Sequence, residues 1–289
     1  MVTIQTENFS LEQIWQSGQC FRMNQTEKAV ENFPKGQATD SGTGRGYEII
    51  AGQRYLEAFS LGSKCMLSCN GEEYESFWKG YFDLENNYGS YISCIDPEDE
   101  YLLSAARLGW GIRILKQDLW ETLVSFLISQ QNNIVRIRRC ISNICNQYGE
   151  KKVSGRGKEY YAFPGPEALA GLHEDALMEC NLGYRSKYVV RAAKSVVSGE
   201  TDLSRIGGMG YQDAKAELLK LFGVGEKVAE CICLFALHHL EAFPVDTHIS
   251  QALGKHYKKG FPQKRYQGIQ GVMQQYIFYY ELHGAREKD

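Results

Sequence analysis

Residues 221–248 read LFGVGEKVAECICLFALHHLEAFPVDTH, a Gly-x-Gly turn running into a lysine and then an apolar run. Both YQDAKAELLK (211–220) and residues 226–239 have helical spacing, so Leu221–Gly225 is predicted to be the turn of a helical hairpin. Two glycines around one apolar residue allow a tight turn with open N–H groups. Those groups face the same way as the dipole of the second helix, which suits one phosphate of a nucleic-acid backbone. A plain turn between helices needs the same glycines, so the hairpin alone leaves phosphate binding and mere turning as equal readings.

Lys227 falls in the first turn of the second helix, at the positive end of its dipole, where Asp or Glu is the usual choice. An ordinary lysine has a pKa of about 10.4 and is almost wholly charged at neutral pH. Desolvation and a helix N-terminus both lower that value, and a catalytic amine needs one of roughly 7–8. As a lone residue Lys227 reads as a surface charge. Asp246 changes the balance. It precedes a second helical run as an N-cap, and one carboxylate oxygen can cap while the other faces outward. An amine nucleophile and a fixed carboxylate suit chemistry through a cationic, sugar-like transition state.

The 289 residues allow one large or two ordinary domains, and 43% hydrophobic with 23% charged residues fits a soluble globular protein. Apolar runs fall short of a membrane span, and MVTIQTENFS has neither a basic segment nor an apolar core, so no secretory signal is expected. Nine scattered cysteines suggest reduced thiols. Cys231 and Cys233 are two apart on a predicted helix, Cys65 and Cys69 lack a partner pair, and no cysteine follows Cys233. No metal site is therefore expected. The net charge of −3 argues against a polyanion partner, but residues 1–115 carry 9 Lys+Arg against 16 Asp+Glu while residues 116–289 carry 23 against 19. Any polyanion belongs on the second part.

Segments 47–51, 54–60 and 64–69 are rich in β-branched and aromatic residues and read as antiparallel strands, with a glycine-rich loop over 31–46. From about residue 72 the apolar period becomes helical, in segments 72–82, 97–109, 119–131, 135–149 and 186–199. Pro97 and Pro166 are expected in helix first turns. The fold class is α+β: an N-terminal antiparallel β-sheet domain with helices over 1–112, then an all-helical region with the helical hairpin over 113–289.

The run from Leu221 to Ala229, followed by Val245-Asp246-Thr247-His248, resembles the helix-hairpin-helix superfamily of DNA glycosylases with a Gly/Pro-rich loop and an invariant Asp. SGQCFRM (17–23), SFLISQQNNIVRI (125–137) and LGYRSKYV (182–189) resemble segments of 8-oxoguanine DNA glycosylases, so the resemblance covers nearly the whole chain. It implies a bifunctional DNA glycosylase and AP-site lyase of base-excision repair. Lys227 is implied as the nucleophile at C1′ and Asp246 as the carboxylate beside the developing positive charge. Gly18, Cys231, Gln274 and Phe278 are implied as the base pocket. A Gly18 carbonyl facing N7 would accept from the oxidised base, whose N7 is protonated, and repel guanine. Gly223, Val224, Gly225 and His248 are implied as phosphate contacts, and Gln131, Asn132, Arg136, Tyr184 and Arg185 as the side facing the opposite strand, with Tyr184 the wedge. Gln131 departs from the family, which often has Asn there. The implied partner is duplex DNA with 8-oxoguanine opposite cytosine. No cofactor, no metal and no membrane are expected, and the chain is expected to be a monomer acting on DNA in the cytoplasm. Two other readings stay open. Gly18, Gln274 and Cys231 weigh against a glycosylase for another damaged base, and Lys227 with Asp246 weighs against a non-catalytic DNA-binding module.

Overall fold

The computed structural model describes residues 1–27, 44–62 and 64–284. In chain order the elements are β1 (Val2–Gln5), α1 (Leu11–Gln16), β2 (Met23–Gln25), β3 (Arg45–Ala51), β4 (Arg54–Leu61) and β5 (Lys64–Leu67). A helical stretch over 71–81 follows, with a π turn at Tyr74–Trp78, then α2 (Tyr88–Ser93), α3 (Glu100–Leu108), α4 (Leu119–Ser129) and α5 (Ile134–Tyr148). Next come β6 (Lys151–Val153), β7 (Glu159–Tyr161), α6 (Pro166–Ala170) and α7 (Ser186–Val197). A short Leu203–Gly207 helix leads to α8 (Tyr211–Leu218), α9 (Glu226–Phe235), α10 (Thr247–His256) and α11 (Gln270–His283).

Polar residues set the helix starts. Ser10, Asn87, Asp99, Asp118, Asn133 and Asp246 each accept a backbone N–H three residues on, which satisfies a donor that the helix itself leaves open. Pro166 opens α6 as expected, whereas Pro97 lies outside α3, whose cap is Asp99. The hairpin-exit helix stops at Phe235 rather than at residue 239. The Ala236 N–H closes the last turn on Ile232, and His238 takes a left-handed φ of 56°. Of the loop expected over 31–46, residues 31–43 lie outside the described residues and β3 already begins at Arg45. The last expected strand ends at Leu67. The β6–β7 hairpin interrupts the otherwise helical part. Its strands are short and largely exposed, so they carry no apolar alternation to reveal them.

The chain forms two compact units, Met1–Glu48 with Leu56–Lys116 and His238–Asp289, and Ile49–Tyr55 with Gln117–Leu237. The linear boundary at 112/113 is therefore not the spatial one, because the chain returns to the first unit after Leu237. The sheet has the order β1-β5-β4-β3-β2, with β5 antiparallel to both β1 and β4 and Leu67 opposite both Val2 and Ala58. Within the first unit, α11 packs on α3 and α10, and Tyr47, Trp78, Phe82, Tyr88, Tyr266 and Tyr276 are fully buried. Asp83 is buried beside Tyr88. It accepts from Tyr88 Oη (2.9 Å) and Asn86 Nδ2 (2.8 Å) and pairs with Lys116 (2.9 Å) and His238 (3.2 Å). In the second unit, α4 packs on α5 and α9, and α9 on α8. The β3–β4 turn belongs to this unit because the Gly52 N–H donates to Glu121 (2.8 Å) and the Phe163 N–H to the Gly52 carbonyl (3.1 Å). No helix among the described residues is long and apolar enough to cross a membrane, and no His/Cys/Asp/Glu group among them could hold a metal ion.

Candidate active site

In the second unit, α8 and α9 are the two helices of the hairpin. The turn is closed by the Val224 N–H on the Leu221 carbonyl (3.0 Å). Gly223 is required twice over. Its φ is +89°, and a Cβ there would sit 2.7 Å from Cγ of Tyr188. Gly225 differs. It has φ −101° and ψ 177°, and a Cβ would meet nothing within 4 Å. Gly225 is exposed, and as the N-cap of α9 it gives no side-chain cap, so the first N–H groups of that helix stay open.

Lys227 lies two residues beyond this cap and is half-buried. Its Nζ is 5.1 Å from the centroid of the Phe126 ring, and Phe126 stacks on Phe235 at 5.6 Å. Among the described residues Lys227 has no carboxylate partner. The acids nearest in sequence are taken by another lysine: Lys215 Nζ lies 2.7 Å from Glu226 and 2.7 Å from Glu230, and Tyr211 donates to Glu230 at 2.6 Å. No sequence pattern pointed to this pairing of Lys215 with both acids. Cys231, one turn after Lys227, is buried.

The expected opposite-strand residues also lie in this unit. Gln131 is exposed with φ +49°, Asn132 donates to the Ile128 carbonyl (3.1 Å), and Arg136 is exposed in the first turn of α5. Tyr184 is 49% exposed, with its ring edge on Tyr188 at 5.7 Å. Arg185, by contrast, is only 4% exposed. It donates to the carbonyls of Gln130 (2.6 Å), Gln131 (2.8 Å) and Leu182 (3.3 Å), and its guanidinium lies 4.5 Å from the Tyr184 ring. It thus braces the 130–132 loop, a role the sequence did not suggest.

In the first unit, Asp246 caps α10 through Oδ1, which accepts the Ile249 N–H at 2.9 Å. Among the described residues Oδ2 has no partner, so one oxygen caps and the other stays open. His248 is exposed, its ring edge-on to that of Phe278 with the centroids 6.1 Å apart. Gln274 is buried at 3% exposure. Its Nε2 donates to the Pro244 carbonyl (2.9 Å) and its Oε1 accepts from Gln275 (3.0 Å). The Gln274 amide is thereby oriented and tied to the segment leading to Asp246. Phe278 is half-buried one turn further along α11. Gly18 has φ +73° in a turn fixed by Gln19, whose side chain donates to the Arg113 carbonyl (2.9 Å) and accepts the Leu115 N–H (2.8 Å). Tyr279 of α11 donates to Gln16 at 3.3 Å, which brings that turn beside the helix bearing Gln274 and Phe278.

The family described as "8-oxoguanine DNA glycosylase, N-terminal domain" matches residues 1–123, and the "HhH-GPD superfamily base excision DNA repair protein" family matches residues 124–266. A "Probable N-glycosylase/DNA lyase" of Methanothermobacter thermautotrophicus is 30% identical over 236 residues, 72% of this chain and 73% of the relative. The "N-glycosylase/DNA lyase" of Saccharomyces cerevisiae is 36% identical over 159 residues, 51% of this chain but only 42% of its own length. The crystal structure of Clostridium acetobutylicum 8-oxoguanine glycosylase/lyase with double-stranded DNA containing cytosine opposite 8-oxoguanine is similar at 34% identity and a TM-score of 0.85, over 100% of this chain and 98% of that one.

Proposed function

We propose that this chain, which belongs to the 8-oxoguanine DNA glycosylase family of the HhH-GPD superfamily, excises 8-oxoguanine from duplex DNA and then cuts the strand at the resulting site. Lys227 Nζ attacks C1′ of the flipped nucleotide as the C1′–N9 bond breaks. The base leaves with the bonding pair and takes up a proton. The sugar ring opens to an imine on Lys227, and loss of a C2′ proton expels the 3′ phosphate and nicks the strand. The open oxygen of Asp246 stabilises the positive charge that grows on the sugar before the amine bond is complete.

One observation carries this reading: Lys227 stands at a helix start with no side-chain cap and, among the described residues, without a carboxylate partner, while Lys215 occupies Glu226 and Glu230. Phosphate binding alone would need neither this amine nor the open oxygen of Asp246. Gly223, Val224, Gly225 and His248 hold the backbone. Gly18, Cys231, Gln274 and Phe278 receive the base, with the Gly18 carbonyl accepting from N7–H of the oxidised form. Tyr184 fills the gap, and Gln131, Asn132, Arg136 and Arg185 meet the estranged cytosine. The protein works as a monomer on cytoplasmic DNA and needs no cofactor.

Borohydride trapping tests the assignment with lesions opposite each of the four bases. A covalent protein–DNA adduct, strongest opposite cytosine, is the expected result. A protein that binds lesion DNA yet yields neither adduct nor free base is a binding module. Adducts only on other damaged bases would replace 8-oxoguanine as the substrate.

A further inference from the structure

Gln130 lies just after α4 and is half-buried. Its Nε2 donates to the Gly223 carbonyl (2.9 Å) and to the Leu127 carbonyl (3.3 Å), while its own carbonyl accepts from Arg185 Nε (2.6 Å). Gly223 packs under Tyr188. Tyr188 in turn meets both Tyr184 (5.7 Å) and Phe222 (5.4 Å), and Arg185 lies over Tyr184. These contacts close a ring through three segments distant in sequence: the 130–132 loop, residues 184–188 and the hairpin turn. Gln130 joins two sides of that ring, with its side chain on the hairpin and its backbone on Arg185.

We propose that Gln130 is a positioning residue that ties the backbone-holding hairpin to Arg185 and Gln131, so that the register set on one strand fixes the choice of base on the other. This rests on the glycosylase reading above. Of the five N–H groups of a guanidinium, Arg185 commits three to carbonyls, which leaves two for the acceptors of an unpaired cytosine. Those two are aimed only as well as the carbonyls that hold the other three. The Gln130 carbonyl is one of them, and its place depends on the bond to Gly223.

Gln130→Leu removes the donor at similar volume, and Gln130→Glu sets a carboxylate against the Gly223 and Leu127 carbonyls. Two measurements are made on the full chain. Single-turnover excision opposite cytosine and opposite adenine is expected to show the cytosine-to-adenine ratio falling roughly 3- to 10-fold in Gln130→Leu, the scale of one lost hydrogen bond, and further in Gln130→Glu. Amide hydrogen exchange of the DNA-free protein reads the Val224 and Arg185 N–H groups, which are bonded to Leu221 (3.0 Å) and Leu182 (3.3 Å). Both are expected to lose protection together. A merely structural role would slow both excision arms alike and leave their ratio unchanged, and that result overturns the proposal. Loss of protection confined to Val224 overturns it as well. Were the wild-type protein to excise nothing, the glycosylase reading would fall, while the exchange arm would still decide the linkage.

Discussion

Gly225→Ala should leave the protein as stable as before and yet weaken its grip on every duplex. Gly225 has φ −101°, which alanine adopts freely, and its new methyl would meet no atom within 4 Å. Reduced freedom in the unfolded chain stabilises the variant by about 0.4–1 kcal/mol, and the poorer fit of alanine at the N-cap of α9 costs a similar amount, so the two nearly cancel. In the complex, the same methyl stands among the open N–H groups that the proposal gives to a phosphate. Losing one charge-assisted hydrogen bond costs about 1.5–3 kcal/mol, or roughly 10- to 100-fold in affinity. Because the contact is with the backbone, lesion and undamaged duplex should lose affinity alike, and, since no cation is removed, the salt slope should stay nearly unchanged. Gly223→Ala is the contrasting perturbation. At φ +89°, with Tyr188 Cγ 2.7 Å from the added Cβ, it combines left-handed strain with overpacking. The sum is about 2–5 kcal/mol and a Tm drop of roughly 4–20 °C. Fluorescence anisotropy on both duplexes across a salt series, with melting curves for each variant, reads all of this. The reasoning is refuted if Gly225→Ala binds undamaged duplex like the wild type, or if its loss is confined to lesion DNA. The second outcome would put the hairpin in the base pocket.

Lys227→Gln should bind lesion duplex but neither excise nor trap with borohydride. Excision near the wild-type rate would make water the attacking group. Asp246→Asn should keep the α10 cap, since asparagine caps as well as aspartate, so its Tm should change little. Its single-turnover rate should still fall roughly 10²–10³-fold, and a slowdown that merely follows a fall in Tm would remove the catalytic role. Asp83→Asn tests the core beneath α2. Burial pushes the Asp83 carboxyl up, but His238 and Lys116 outweigh it and hold the pKa below the usual carboxylate value. A depressed pKa stabilises the fold above the unfolded value of about 3.9 and loses that contribution as pH falls below it. The Asp83→Asn stability deficit, followed by urea unfolding, should therefore be full near pH 6 and shrink below about pH 4. A deficit that stays constant across that range would contradict the ionised assignment.

Local patterns were enough to read much of this protein from its sequence. The helical period placed α4, α5, α7, α8 and the start of α9, because an amphipathic helix writes its buried face every three or four residues. Asp246 was readable as a cap, since capping is a short-range bond to the third residue on. The hairpin was readable from its two glycines, although only the structure separates Gly223, which needs its conformation, from Gly225, which does not. Long-range placement had no such signature. The β6–β7 hairpin lacks an apolar face, and the return of residues 238–284 to the first unit is a matter of packing between segments far apart in the chain. The burial of Arg185 beneath three carbonyls, the diversion of Glu226 and Glu230 to Lys215, and the bond from Gln130 to Gly223 each join residues whose spacing carries no period. Residue types and spacing could nominate an amine and a carboxylate; only tertiary contacts decide which amine, among the described residues, lacks a carboxylate partner and which carboxylate oxygen accepts no bond there.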